Sequence, residues 1–135
     1  MCGLVGIACN INKADTEVFK QLLYLASLRG TDSTGMAIIP YTKKNVQPDI
    51  TLSKMACPSY DFLDNIRNRE MITAPNAVFM GHARYATFGE KNRENAQPFE
   101  FPTLVGTQYG TLSYQSKNRL EGVKHMKKDS MALYH

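Results

Sequence analysis

Short apolar runs alternate with polar, turn-forming segments along this chain, and most runs have the length of a single strand. Leu4-Val5-Gly6-Ile7-Ala8 is nearly continuous in hydrophobicity and predicts a buried first strand. Asn10-Ile11-Asn12-Lys13 then turns the chain. Val18, Phe19, Leu22, Leu23 and Ala26 recur at three- and four-residue intervals, which places them on one face of a helix capped by Asp15 and ended at Arg29-Gly30. Gly35-Met36-Ala37-Ile38-Ile39 predicts a second strand stopped by Pro40. The polar stretch from 41 to 54 holds one further strand candidate, Ile50-Thr51-Leu52. Ser59 is placed to cap a helix with Phe62, Leu63 and Ile66 inward. Ala77-Val78-Phe79-Met80 predicts a third buried strand that carries His82, Arg84 and Thr87 to its far end, and Leu104-Val105 is the centre of a fourth. Tyr109-Gly110 signals a turn. From Leu120 onward the pattern is partly helical, with Asp129 or Ser130 capping a last turn.

Strands interleaved with amphipathic helices give an α/β or α+β domain with helices packed on a sheet, and residues 1–135 form one such domain. No repeat, linker or low-complexity tract interrupts it. The first strand lacks the glycine fingerprint of a dinucleotide fold, and no Walker motif is present. A hydrophobic content of 43% and a charged content of 21% are globular values. The net charge of +4 comes from dispersed residues, with short clusters at Lys43-Lys44 and Lys124 to Lys128, so no nucleic-acid footprint is expected. No apolar span long enough for a membrane helix appears, so no membrane partner is expected. Cys2, Cys9 and Cys57 make neither a disulfide framework nor a CxxC pair, which points to a reducing, cytoplasmic location. Cys9 reads as a small core residue and Cys57 as packing at the end of an element.

Chemistry concentrates at the N-terminus. Removal of Met1 would leave Cys2 with a thiol and an α-amine, groups that titrate near pH ~8.5 and ~7.7 to 8 in unperturbed form. One residue then supplies a nucleophile and its adjacent base. Arg84 offers a rigid fork of donors matched to a carboxylate. Asp32 and Ser33 have the side chains to organise a turn through bonds to nearby backbone. His82 reads as a structural histidine, because Cys2 brings its own base. His82, His125, His135 and the cysteines lack compact ligand spacing, so no metal is expected.

Three ordered stretches, Met1-Cys2-Gly3-Leu4-Val5-Gly6, Arg29-Gly30-Thr31-Asp32-Ser33-Thr34-Gly35 and Gly81-His82-Ala83-Arg84-Tyr85-Ala86-Thr87, closely resemble class II glutamine amidotransferases. These are the N-terminal-nucleophile family that releases ammonia from glutamine. Asn95-Ala96-Gln97-Pro98-Phe99 resembles the family's Asn-x-His-Pro segment, Gly110-Thr111-Leu112 the end of its His-Asn-Gly segment, and Asp129-Ser130 its Thr-Asp-Ser element. The resemblance implies an αββα sandwich, here incomplete at its C-terminal side. It implies glutamine hydrolysis through a γ-glutamyl thioester on Cys2, with no cofactor. Arg84 would hold the substrate α-carboxylate and Asp129 its α-ammonium, with Thr87 lining the same pocket. Gly110 would give a backbone N–H to the oxyanion hole. The chain departs from the pattern where Gln108-Tyr109-Gly110 stands for His-Asn-Gly, so Tyr109 takes the place of a side-chain oxyanion donor. Gln97 replaces the histidine before proline, and Phe88 stands where Thr-His-Gly is common. Expected partners are glutamine, a separate acceptor or synthetase subunit, and a second copy of the chain. The alternative is a catalytically impaired relative serving as an amino-acid-binding or protein-interaction module.

Overall fold

The computed structural model describes residues 1–44, 46–87 and 89–110. Their elements run β1 (Gly3–Ala8), α1 (Lys13–Ala26), β2 (Ser33–Ile39), β3 (Thr51–Met55), α2 (Ser59–Asp64), α3 (Ile66–Met71), β4 (Val78–Arg84), β5 (Phe99–Phe101) and β6 (Leu104–Gly106). Strands β1 to β4 make one antiparallel sheet in the order β1-β4-β2-β3, and β5 pairs with β6 as a small antiparallel ribbon. The fold is therefore α+β.

Helix α1 begins one turn earlier than the sequence pattern suggests. Asn12, not Asp15, is the cap: its Oδ1 accepts from the N–H groups of Ala14 at 2.7 Å and Asp15 at 3.2 Å. Asp15 returns a bond from the N–H of Asn12 at 2.9 Å, closing a reciprocal capping box. The earlier start selects Thr16, Phe19, Leu23 and Ala26 as the buried stripe and turns Val18 and Leu22 to the surface. Periodicity alone admits both faces, because apolar residues occur on each. Gly81 lets α1 lie close to the sheet; a Cβ there would come within 2.7 Å of Val5 Cγ2 and 3.0 Å of Leu23 Cδ1.

Phe19 and Phe79 meet across this contact with ring centroids 5.1 Å apart, a tilted pair worth about 0.5–1.5 kcal/mol beyond its buried area. Leu23, Met36, Ile38, Phe62, Leu63, Ile72 and Ile11 complete the core between the sheet and its helices. Thr34 Oγ1 on β2 lies 3.2 Å from Ser59 Oγ and donates to the Cys57 carbonyl at 2.9 Å, tying α2 to the sheet. Ser59 is the first helical residue and makes this tertiary bond, while Pro58 occupies the cap position. Ile66 opens α3 and faces solvent, since Asn65 starts a new helix there and breaks the predicted stripe.

Strand β1 is half exposed. It lies at the sheet edge, with Val5 and Ile7 packed against the core while Leu4, Gly6 and Ala8 face outward. Cys9, beyond its end, is exposed and not in the core. The second face of the sheet carries Gly35, Lys54 and His82 in adjacent register. It is covered by the segment leading into β5: Lys54 Nζ donates to the Ala96 carbonyl at 2.8 Å and sits 4.9 Å from the centre of the Phe99 ring. That segment and β5 lacked an apolar run long enough to be read as a strand. Among the described residues, no helix is long and apolar enough to cross a membrane.

Candidate active site

The pairing of β1 with β4 sets Gly3 opposite Ala83, so Cys2 stands at the strand ends beside Arg84 and Tyr85. Its Sγ points to the Tyr85 carbonyl oxygen at 3.6 Å. On the other side, β2 pairs Ser33 with Arg84 and Gly35 with His82. Side chains alternate between faces, so Ser33, His82 and Arg84 share one face of the sheet. Sequence segments far apart in the chain thus meet at one end of β4, because β4 is the central strand between both partners.

Arg84 is 9% exposed, and its Nη1 donates to the Glu90 carbonyl at 2.9 Å. Burial pulls its pKa below the ordinary guanidinium value, while the charges of Cys2 and Asp32 act in the opposite direction. The loop after β4 is fixed from two sides. Asn95 Nδ2 donates to the same Glu90 carbonyl at 2.8 Å, and Asp32 Oδ2 accepts from the Ala86 N–H at 2.7 Å. Asp32 Oδ1 also meets Lys91 Nζ at 2.6 Å. Partial burial raises the Asp32 pKa, but the bonds from Lys91 and Ala86 and the charges of Lys91 and Arg84 outweigh it, leaving the carboxyl below its usual range. Asp32 thus bonds to backbone as expected, but across the fold at Ala86 and not within a local turn, and Ser33 Oγ makes no such bond among the described residues. Gly30 is required by close approach, since a Cβ would fall 2.6 Å from Tyr85 N and 2.7 Å from the Arg84 carbonyl oxygen.

Arg29, which the sequence pattern marks only as a helix end, reaches the nucleophile segment directly. Its Nε donates to the Cys2 carbonyl at 2.9 Å, Nη2 lies 3.8 Å from Met1 Sδ, and the guanidinium sits 5.8 Å from the centre of the Tyr109 ring. Tyr109 and Gly110 follow β6 on an exposed segment, where Gly110 has a φ of +132°, a conformation that favours glycine. The base of that segment is held by Gln97, a second residue whose role the sequence did not disclose. Gln97 Oε1 accepts from Gln108 N–H at 2.7 Å and from Thr107 Oγ1 at 3.0 Å. Thr87 lies on the exposed loop beyond Tyr85. Asp129 lies outside the described residues, as do the predicted tail helix and Phe88.

Beneath these groups, His82 and Ser33 are fully buried. Among the described residues, neither ring nitrogen of His82 nor Ser33 Oγ has a hydrogen-bond partner. Burial lowers the His82 pKa to about 4; the nearby Gln108 backbone acts in the raising direction, without hydrogen-bond geometry, and the charge of Arg84 lowers it further. The imidazole is neutral at physiological pH. Its full burial fits a structural histidine, and among the described residues it has no hydrogen-bond partner. A cavity of about 370 Å³ is lined by Met1, Ser27, Leu28, Arg29, Thr31 and Tyr85 among others, and Cys2 is not part of its lining. Among the described residues, no three His, Cys, Asp or Glu side chains converge as a metal site.

The chain is similar to a glutamine–fructose-6-phosphate aminotransferase (isomerizing) of Streptococcus pyogenes, at 26% identity over 132 residues, 98% of this chain and 19% of the relative. The same-named protein of Streptococcus mutans is 32% identical over 98 residues, 73% of this chain and 14% of the relative. An amidophosphoribosyltransferase of Pseudomonas aeruginosa is 28% identical over 131 residues, 96% of this chain and 23% of that protein. The matched segment spans about a fifth of the length of these curated relatives. No family model matches the chain.

Proposed function

We infer, for a chain that is a divergent homologue of class II glutamine amidotransferases, that it carries out the glutamine-hydrolysing half of an amide-transfer reaction at Cys2. The observation that carries this reading is the β1–β4 register, which brings Cys2 beside Arg84. In this reading the described helices and four-stranded sheet are half of an αββα sandwich, and β5–β6 belongs to its second sheet. The unit is cytoplasmic and passes ammonia to an acceptor or synthetase subunit.

The reaction runs through a covalent intermediate on Cys2. With Met1 removed, the α-amine of Cys2 accepts the thiol proton, and the sulfur attacks the side-chain amide carbon of glutamine. The amide oxygen becomes an oxyanion next to the Gly110 N–H. Collapse transfers the amine's proton to the leaving nitrogen, which departs as ammonia and leaves the γ-glutamyl thioester. Water, losing a proton to the same amine, attacks the thioester; the sulfur leaves, recovers that proton as the thiol, and glutamate is released. Arg84 grips the substrate α-carboxylate, its fork oriented through the bond from Nη1 to Glu90. Thr87 lines the pocket, and Asp129 meets the α-ammonium. A chain that keeps Met1 has an amide nitrogen where this base is needed.

Incubating protein that begins at Cys2 with glutamine, and measuring glutamate, tests the reading. Turnover is expected, its loss in Cys2→Ala is expected, and Arg84→Lys is expected to raise KM about ten- to hundredfold, the cost of a lost charged hydrogen bond. Absence of glutamate, together with no covalent capture of Cys2 by a glutamine-like electrophile, refutes it. A second reading, an amino-acid-binding or protein-interaction module without turnover, is favoured by Tyr109, whose ring lies against Arg29 where the family has a side-chain amide donor. Glutamine-dependent thermal stabilisation without a thioester distinguishes it.

A further inference from the structure

The segment from Thr107 to Gly110 is held at two points. At its base, Gln97 accepts two donors, from Thr107 and Gln108. At its tip, the Tyr109 ring rests on Arg29, and the same guanidinium donates to the Cys2 carbonyl. One cation therefore touches the backbone of the nucleophile and the side chain that precedes the oxyanion glycine. A ring centroid 5.8 Å from the guanidinium carbon is within the range in which the ring quadrupole attracts a cation.

We propose that Tyr109 is a positioning residue that acts through its aromatic face: with the Arg29 guanidinium 5.8 Å from its ring centre, it restrains the segment carrying Gly110 relative to the Cys2 backbone. The phenolic hydroxyl is not the working group. A phenol at this position is too long to reproduce a short amide donor, whereas its ring face is already engaged. This cation–ring contact thus replaces a direct hydrogen bond to the oxyanion with an indirect hold on the backbone donor. Arg29 is the shared hub, so disturbing either partner loosens the distance between sulfur and Gly110 N–H on which oxyanion stabilisation depends.

This inference rests on the hydrolytic reading for its kinetic consequence, but the docking contact is measurable without it. The experiment is a double-mutant cycle with Arg29→Gln, Tyr109→Leu and the pair, in protein beginning at Cys2, read by urea unfolding and by kcat and KM for glutamate formation. Tyr109→Phe is the rescuing variant. The expected coupling is about two- to fivefold in the unfolding constant, the size of a partly exposed cation–π contact. At least that coupling is expected in kcat, with KM for glutamine little changed, and Tyr109→Phe retains it. Independent, multiplicative effects of the two substitutions overturn the proposal, as does a Tyr109→Phe variant that behaves like Tyr109→Leu. If the unsubstituted protein yields no glutamate, the hydrolytic reading falls and the unfolding cycle alone decides the docking: coupling supports it, and its absence overturns it.

Discussion

Replacing His82 by Gln removes a titrating ring from a fully buried site, and the consequence is a change in how stability depends on pH. In the folded chain the imidazole pKa is about 4, against 6.5 for the unperturbed group. Between these values the unfolded chain binds a proton that the folded chain refuses, so stability rises with pH through this window. The contribution is complete above pH ~6.5, falls as pH drops toward ~4, and levels off below that. Working the linkage through, His82 makes the protein roughly 2 kcal/mol less stable at pH 5 than at pH 7, and roughly 3 kcal/mol less at the acid limit. Glu17 and Asp32 have lowered carboxyl pKa values and lose their contributions at still lower pH, so they leave the window above pH 5 largely clear. Urea titrations at both pH values measure the effect. With a slope of about 1–3 kcal/mol/M, the midpoint of the parent protein is expected to fall by about 1 M between pH 7 and pH 5. His82→Gln should lose most of that fall, whatever its stability at pH 7. Comparing the two proteins cancels His125 and His135. Equal pH slopes in parent and variant would refute the assignment of a neutral, proton-excluding imidazole beneath the site.

Two other substitutions probe how the strand ends are held. Gly30→Ala inserts a Cβ against the Arg84 and Tyr85 backbone; it is expected to cost about 1–3 kcal/mol in urea unfolding and to raise KM for glutamine by displacing Arg84. An unchanged KM would separate Gly30 from Arg84 placement. Gln97→Leu strips the acceptor from Gln108 N–H and Thr107 Oγ1, with an expected loss of about 1–3 kcal/mol and faster hydrogen exchange at the Gln108 amide. Unchanged exchange would show that the Gly110 segment is anchored elsewhere.

Much of this protein is written locally. The apolar runs locate β2 and β4, although β2 begins two residues earlier than its run and β4 continues four residues past Met80, and the motif around Arg84 identifies its neighbourhood from sequence alone. Boundaries set by competing caps are less legible: Asn12 and Asp15 can each cap α1, and only the reciprocal bonds assign their roles. Leu22 and Leu23 are equally apolar, yet packing against the sheet buries only Leu23. β1 looks like a central strand because small residues make its outer positions apolar, while its place at the edge leaves them half exposed. Ser59 was legible as a helix start, but its bonding to Thr34 depends on a residue 25 positions away.

The amino-acid sequence by itself determined the α+β character, the family resemblance and the identity of Cys2 and Arg84 as the residues to examine, because periodicity and short motifs are local properties of a chain. Only the tertiary structure decided that Arg29 binds the Cys2 carbonyl and meets Tyr109, that Gln97 anchors the following segment, and that His82 is buried as a neutral ring. Those facts depend on strand order and register, which bring residues 2, 29, 84 and 109 to one end of a sheet. Pairing across such separations is settled by the packing of the whole core, and no local pattern encodes it.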